Sequence, residues 1–171
     1  MHVSIVSRKE LTEKERFLCY DTLRMEMRLV RWLLVLGGVF NSVMGLVFFS
    51  DQLLRQFLVI ATGLEAILFS RVASIPFPED QTHRMLIHGF GAAAMILGAT
   101  LICSSRNPAR WTPFILVDGV GRLLFGGLMV SSVFAFSLMR IILSFAVLEL
   151  FFAFSYLAIA WKLRDAGSEY G

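Results

Sequence analysis

Residues 111–134 read WTPFILVDGVGRLLFGGLMVSSVF, an almost wholly apolar run that contains one carboxylate and one guanidinium. At about 1.5 Å per residue, a helix of this length crosses a bilayer core of roughly 30 Å. Asp118 and Arg122 are four residues apart, so on a helix they lie on one face and neutralise each other. That pairing lowers the cost of placing either charge in hydrocarbon. The stretch therefore predicts a membrane-spanning helix with an internal ion pair.

The composition extends this prediction to the whole chain. It has 171 residues, of which 57% are hydrophobic and 17% charged, and a mean hydropathy of +0.71. Such values are typical of helical membrane proteins, so we expect one all-α domain over 1–171 with the lipid bilayer as its surroundings. The net charge is +3, but the basic residues flank apolar runs, so no nucleic-acid partner is expected. Cys19 and Cys103 have no spacing that indicates a disulfide framework or a metal site.

The hydropathy pattern predicts four membrane spans, at about 29–49, 82–104, 111–134 and 137–161. Residues 51–72 are apolar enough for a fifth span, but Arg55 and Glu65 fall on a polar arc of the helical wheel. This arc favours an interfacial or re-entrant helix, with both charges facing water or lipid headgroups. Two prolines, Pro76 and Pro78, then end the segment.

The N-terminal arm, 1–28, begins its helical pattern with a capping box at Ser7 and Glu10. It mixes charges with apolar residues and is predicted to be an amphipathic helix on the membrane surface. A helix that simply extends the first span into the cytoplasm is the alternative. The tail, 162–171, is polar.

Charge bias favours four spans over five. With four, the basic arm, the Arg106/Arg110 turn and the tail share one side of the membrane, which the positive-inside rule makes cytoplasmic. Three tryptophans, Trp32, Trp111 and Trp161, fall at that same edge. We therefore expect both termini in the cytoplasm, as in a bacterial inner membrane. Because the 105–110 turn is short, the second and third spans should be antiparallel neighbours.

Helix geometry predicts a polar cluster near mid-membrane. It places Arg122 about 15 Å and Glu149 about 18 Å above the inner edge, with Asn41 at a similar level. Asp118, Arg122, Glu149 and Asn41 could therefore meet. One interpretation is a ligand-binding or proton-linked site, in which Arg122 binds an anionic group and Glu149 exchanges a proton. The other is a structural ionic clasp that holds the helices in register.

Other candidate features are few. His88 is flanked by Gly89, which would leave room for a haem or chlorophyll, but a lone histidine is more often simply hydrogen-bonded. No phosphate-binding loop, nucleophile elbow or zinc-protease motif is found, so no catalytic residues are assigned. Gly37, Asn41 and Gly45 recur every fourth residue and would let another helix approach closely.

Residues 89–128, GFGAAAMILGATLICSSRNPARWTPFILVDGVGRLLFGGL, resemble the small four-helix membrane proteins grouped as DoxX-like. The matching features are the glycine-rich span, the turn Arg106-Asn107-Pro108-Ala109-Arg110 and Arg122 in the following span. The resemblance implies a four-span bundle with an outer-face half-helix, and it assigns no catalytic residues. Asp118 and the charged arm depart from the family pattern.

Two functions are consistent with these features. The first is a non-enzymatic accessory or structural subunit of a larger membrane complex, or a homo-oligomer, in which glycine-rich faces contact other subunits. The alternative is a small proton-linked transporter or ligand-binding membrane protein that uses the Asp118, Arg122, Glu149 and Asn41 cluster.

Overall fold

The structure, a computed structural model, describes residues 13–70, 76–136 and 139–168 and the side-chain surroundings within 26–70, 76–136 and 139–164. These residues form five α-helices and no strand, which confirms the all-α prediction. The helices are α1 (Glu13–Phe49), α2 (Asp51–Phe69), α3 (Gln81–Ser104), α4 (Thr112–Phe136) and α5 (Ile142–Ser168).

All five helices are long and apolar enough to cross a membrane. Many large apolar side chains point outward, among them Ile67 (78% exposed), Phe134 (75%) and Trp161 (72%). Such a surface suits lipid rather than water, because contiguous exposed apolar area is rare in soluble monomers. The prediction of an integral membrane protein is confirmed, while the predicted count of four membrane-length helices is not matched, because α2 has this length and composition too.

The helix α1 includes residues of both the N-terminal arm, 1–28, and the first predicted span, 29–49. It runs without a break from Glu13 to Phe49, so the described part of the arm continues the first span. The prediction of a separate amphipathic helix is therefore wrong for residues 13–28, and the alternative, an extension of the first span, is what the structure shows. Residues 1–12, which include the predicted capping box, lie outside the described residues. The physical reason is that this arm contains no glycine or proline and is rich in Glu, Lys, Arg, Leu and Met, which favour helix.

The helices α1 and α3 pack together antiparallel through glycines. A Cβ on Gly38 would lie 2.6 Å from the carbonyl oxygen of Gly98, and one on Gly45 would lie 2.7 Å from that of Gly91. Only glycine permits this close approach of two backbones. The row predicted at Gly37, Asn41 and Gly45 is therefore split: Gly45 faces α3, while Gly37 faces Tyr156 of α5.

The helices α4 and α5 form the second antiparallel pair. Gly119 lies against Tyr156 and Ala153, and Gly126 lies against Leu150. The turn between α3 and α4 therefore connects the two pairs. The helices α3 and α4 contact each other through side chains, as at Phe90 and Phe125, whose ring centroids are 5.5 Å apart. The main backbone packing of α3 is with α1, and that of α4 is with α5.

The two pairs join most tightly at the end where α3 ends and α4 begins. Their shared core brings together buried side chains of four helices, Leu34, Leu101, Ile115 and Tyr156. Tyr156 is fully buried, and its hydroxyl donates a hydrogen bond to the carbonyl oxygen of Leu33. The opposite end of the bundle is more open.

The helix α2 lies across that open end. Ser50 takes an extended conformation and breaks the chain direction after α1. At one end of α2, Asp51 contacts Arg84 near the start of α3. At the other end, Glu65 contacts the backbone of Arg140 just before α5. Since α3 and α5 both start at the end of the bundle where α1 stops, α2 bridges roughly 20 Å across it.

Candidate functional site

A cavity of about 780 Å³ lies beneath α2, between the α1/α3 pair and the α4/α5 pair. Its walls are mainly apolar. Phenylalanines from all five helices line it: Phe40, Phe48, Phe57, Phe90, Phe114, Phe125 and Phe145. The cavity exists because α3 and α4 pack their backbones on different partners and stay apart toward the open end of the bundle.

One wall of the cavity contains the predicted charged cluster. Arg122 Nε donates to Asp118 Oδ2 at 2.8 Å, and Arg122 Nη1 donates to Glu149 Oε2 at 2.6 Å. All three residues are buried, with 5% to 7% of their surface exposed, and all three line the cavity. The i,i+4 spacing on α4 forms the first pair as predicted, and the antiparallel packing of α5 brings Glu149 to the same level.

The surroundings hold the guanidinium of Arg122 in place. Its Nη2 points to the carbonyl oxygen of Gly37 at 3.5 Å, a long contact. Its Cζ lies 5.1 Å from the ring centroid of Phe152 and 5.4 Å from that of Tyr156. These are cation–π distances, and they strengthen when water is excluded. Three helices thus position one arginine: α1 through a carbonyl, α4 through Asp118 and α5 through Glu149 and two aromatic rings.

The cluster has more negative than positive charge. One guanidinium faces two carboxylates, which leaves a formal charge of −1 when all three are ionised. Asp118 Oδ1 and Glu149 Oε1 accept no hydrogen bond from any described residue. Two of the five N–H groups of Arg122 donate to carboxylates of the same chain and a third points to the Gly37 carbonyl oxygen, so an anion could bind only through the two that remain, beside two carboxylates.

Asn41 lies at the predicted level and lines the same cavity. No hydrogen bond joins its side chain to Asp118, Arg122 or Glu149, all of which are described. Asn41 is therefore a cavity-wall residue and not part of the ion-paired cluster. Its amide offers two N–H donors and one acceptor oxygen to whatever fills the cavity.

Glu65 corrects the sequence prediction. It was expected to face water or headgroups, but it is fully buried. Its Oε1 accepts from the backbone N–H of Arg140 at 2.9 Å, and its Oε2 accepts from that of Ile141 at 2.8 Å. These N–H groups start the turn that leads into α5, where free donors and the helix dipole both favour a carboxylate. Arg55 does stay exposed, and its Cζ lies 3.6 Å from the ring centroid of Phe77.

No local signal in the sequence would have found this contact. The partners are separated by 75 positions, and the helical wheel correctly placed Glu65 on the polar side of α2. Glu65 lies at the edge of that side and shares the buried face of α2 with Leu54 and Ala61. The exposed residues on the same side include Gln52, Arg55 and Gln56. The one general indication of such a contact was that Glu65 is a carboxylate in an apolar segment, and that none of residues 139–141, directly before α5, has a side chain that caps helices.

His88 is hydrogen-bonded at the open end of the bundle. Its Nε2 lies 2.9 Å from Asp51 Oδ1, and Arg84 Nη1 donates to Asp51 Oδ2 at 3.0 Å. The nitrogen that would bind a haem or chlorophyll metal is thus directed to a carboxylate, which fits the structural interpretation of this histidine. Among the described residues no group of three or more His, Cys, Asp or Glu side chains could hold a metal ion.

Asp80 caps α3 beside this contact. It accepts a hydrogen bond from the backbone N–H of His83 at 3.0 Å, and its other oxygen contacts the His83 ring. The backbone hydrogen bond is the largest of the interactions that lower the pKa of Asp80. His83 is exposed.

Comparisons of this chain with protein-family models, with curated proteins and with solved structures give no match. The DoxX-like resemblance therefore stays a prediction from the motif in residues 89–128.

Proposed function

We propose that this protein is a non-enzymatic membrane protein that binds an apolar small molecule in the cavity beneath α2. The polar group of the ligand would lie against Asp118 and Glu149, and its apolar part would contact the phenylalanine-lined walls. The single observation that carries this proposal is the combination of a large apolar cavity with a buried charged cluster in its wall. Well-formed apolar pockets with a few convergent polar groups are typical of ligand sites.

The size of the cavity supports this function. Its volume of about 780 Å³ falls within the range of roughly 300–1,000 Å³ that is usual for small-molecule sites. Close packing leaves few natural voids even as large as several waters, so a space of this size in a small bundle needs an occupant. A single small amphipathic molecule would fill it.

The same geometry supports a proposed membrane orientation. We infer that α1, α3, α4 and α5 cross the membrane and that α2 lies in its outer interface, since α2 contacts the starts of both α3 and α5. Trp32 and Trp161, both more than 70% exposed, lie at the opposite end of the bundle, where a cytoplasmic aromatic belt would be. Both termini are then cytoplasmic, as in a bacterial inner membrane.

An accessory or oligomeric role has less support from the structure. The sequence suggested it because glycine-rich faces allow other helices to approach. Gly45, Gly91 and Gly98 are covered inside the chain, since a Cβ at each would lie within 2.7 Å of another helix. These three positions are used by the fold itself, whereas Gly89 and Gly127 have open space beside them.

A matched pair of substitutions on α4 tests the binding function. A Cβ on Gly121 or on Gly127 would meet nothing within 4 Å, but only Gly121 lines the cavity. Gly121→Trp should therefore fill part of the cavity, while Gly127→Trp should not. Each variant and the unchanged protein would be purified in mild detergent, and the small molecules retained would be measured by native mass spectrometry.

We expect Gly121→Trp to lower the retained ligand at least about fivefold, the factor that 1 kcal/mol of steric cost produces. Gly127→Trp should retain the amount found in the unchanged protein. Equal retention by both variants, or a protein without any retained molecule, would contradict the proposal. Thermal unfolding of both variants controls for general loss of structure.

A further inference from the structure

This inference rests on the proposed binding function and specifies its ligand. We infer that the ligand is a lipophilic cation, an apolar molecule with one protonated amine that lies against Asp118 and Glu149.

The charge of the wall favours a cation. Of the residues that line the cavity, all within the described part of the chain, Asp118, Arg122 and Glu149 are the charged ones. Their formal sum is −1, and no lining lysine, histidine or second arginine balances it. In a site shielded from water, an added positive charge is strongly favoured and an added negative charge is strongly disfavoured. A carboxylate or phosphate ligand would face two carboxylates of the protein and an arginine that is already paired.

The free hydrogen-bonding atoms also match an amine. Asp118 Oδ1 and Glu149 Oε1 accept no hydrogen bond from a described residue, whereas the guanidinium donates to both carboxylates and points to the Gly37 carbonyl oxygen. The charged cluster therefore offers two free acceptor oxygens, while three of the five N–H groups of Arg122 are already engaged and the Asn41 amide adds both donors and an acceptor elsewhere in the lining. An ammonium group has three donors and no acceptor, and ionised carboxylates only accept. The resulting N⁺–H···O⁻ bonds are the strong, short kind.

The other walls require the rest of the ligand to be apolar. Phenylalanines of all five helices and aliphatic side chains such as Leu97 and Met129 form them. A hydrated inorganic cation would leave this surface unfilled, so Na⁺ or K⁺ fits poorly. An alkyl or aromatic amine would bury its body there, with a gain of about 25 cal/mol per Å² of apolar surface.

The experiment uses three photoreactive probes with the same twelve-carbon, diazirine-bearing chain and a different head: an amine, an alcohol or a carboxylic acid. The full-length protein in phosphatidylcholine vesicles would be irradiated with each probe and digested, and the labelled residues would be located by mass spectrometry. For each probe, labelling of cavity residues is divided by labelling of Leu124 and Val147, which are exposed and do not line the cavity. This ratio removes differences in how the probes partition into the membrane.

We expect the ratio for the amine to exceed that for the alcohol at least about tenfold, since a desolvated charge pair contributes more than that factor. The ratio for the acid should be the lowest. Glu149→Gln removes the surplus negative charge and should abolish the preference for the amine. Glu79→Gln, the same change at an exposed position, should leave it unchanged.

Asp118→Asn, on α4, also removes the surplus negative charge and should likewise abolish the preference for the amine. It serves as a second variant in case Glu149→Gln does not fold. A higher ratio for the alcohol or the acid would overturn the inference while leaving the binding function intact, as would an amine preference that survives Glu149→Gln. Labelling of cavity residues no stronger than that of Leu124 and Val147 for all three probes would overturn both.

Discussion

Replacing Glu65 with alanine should detach α2 from the start of α5. The carboxylate is fully buried and accepts hydrogen bonds from the backbone N–H groups of Arg140 and Ile141 at 2.9 and 2.8 Å. Hydrogen bonds to a charged group contribute about 1.5–3 kcal/mol each. Loss of both, with two donors left unpaired at a helix start, should lower the free energy of unfolding by about 3–6 kcal/mol.

A more conservative change should have a graded effect. In Glu65→Gln the amide oxygen can accept one of the two hydrogen bonds, but its NH₂ group can only donate. The remaining N–H group stays unpaired and the favourable charge at the helix start is lost. We therefore expect roughly half the loss found for Glu65→Ala. Glu79→Ala, at an exposed position, is the control for the loss of one glutamate.

Two measurements check this prediction. Unfolding in mixed micelles with increasing SDS gives the change in stability of each variant. Hydrogen exchange by mass spectrometry, in the same proteins under native conditions, should show faster exchange at Arg140, at Ile141 and along α2. If Glu65→Ala unfolds like Glu79→Ala and these amides exchange at the same rate as in the unchanged protein, the contact does not hold α2 and the reasoning is refuted.

Three further predictions concern other parts of the fold. Gly98→Leu should destabilise the protein by about 1–3 kcal/mol or more, because its Cβ would lie 2.5 Å from the backbone of α1. Gly89→Leu is the control, since a Cβ there has open space, and it should be nearly neutral in the same unfolding assay. Arg122→Gln should lower the free energy of unfolding by about 3–5 kcal/mol, because it leaves two buried carboxylates unpaired. The double variant Arg122→Gln with Glu149→Gln should recover part of that loss. An equal or larger loss in the double variant would argue against charge as the cause. The lowered pKa of Asp80 means that it stabilises α3 above its ordinary pKa of 3.8 and that this contribution disappears as the pH falls through the lower, folded-state value; a carboxyl titration by NMR at or above 3.8 would contradict this.

Features that depend on one helix at a time could be predicted from the sequence. Apolar runs of membrane length predicted both ends of α3 and α4 to within two residues and the end of α1, because the bilayer sets the length that a crossing needs. The helices α1 and α5 extend past the predicted spans, since α1 begins at Glu13 and α5 ends at Ser168. The helix α5 begins at Ile142, with a turn before it, instead of at residue 137. The spacing of Asp118 and Arg122 predicted their ion pair for the same local reason. Counting rise along the spans also brought Glu149 to the correct level, since crossing helices share one membrane thickness.

Which helix faces meet depends on the packing of all the helices and could not be predicted. Hydropathy could not show that Gly45 faces α3 while Gly37 faces Tyr156, because both are small residues on the same helix. Nor could it show that Glu65 is buried, since its polar arc suits water and a helix start equally well. The cavity follows from the pairing of α3 with α1 and of α4 with α5, which keeps two neighbours in sequence apart. The periodicity of a sequence indicates which helix faces contain polar or small residues. Which helix packs on each face depends on the packing of all five helices together.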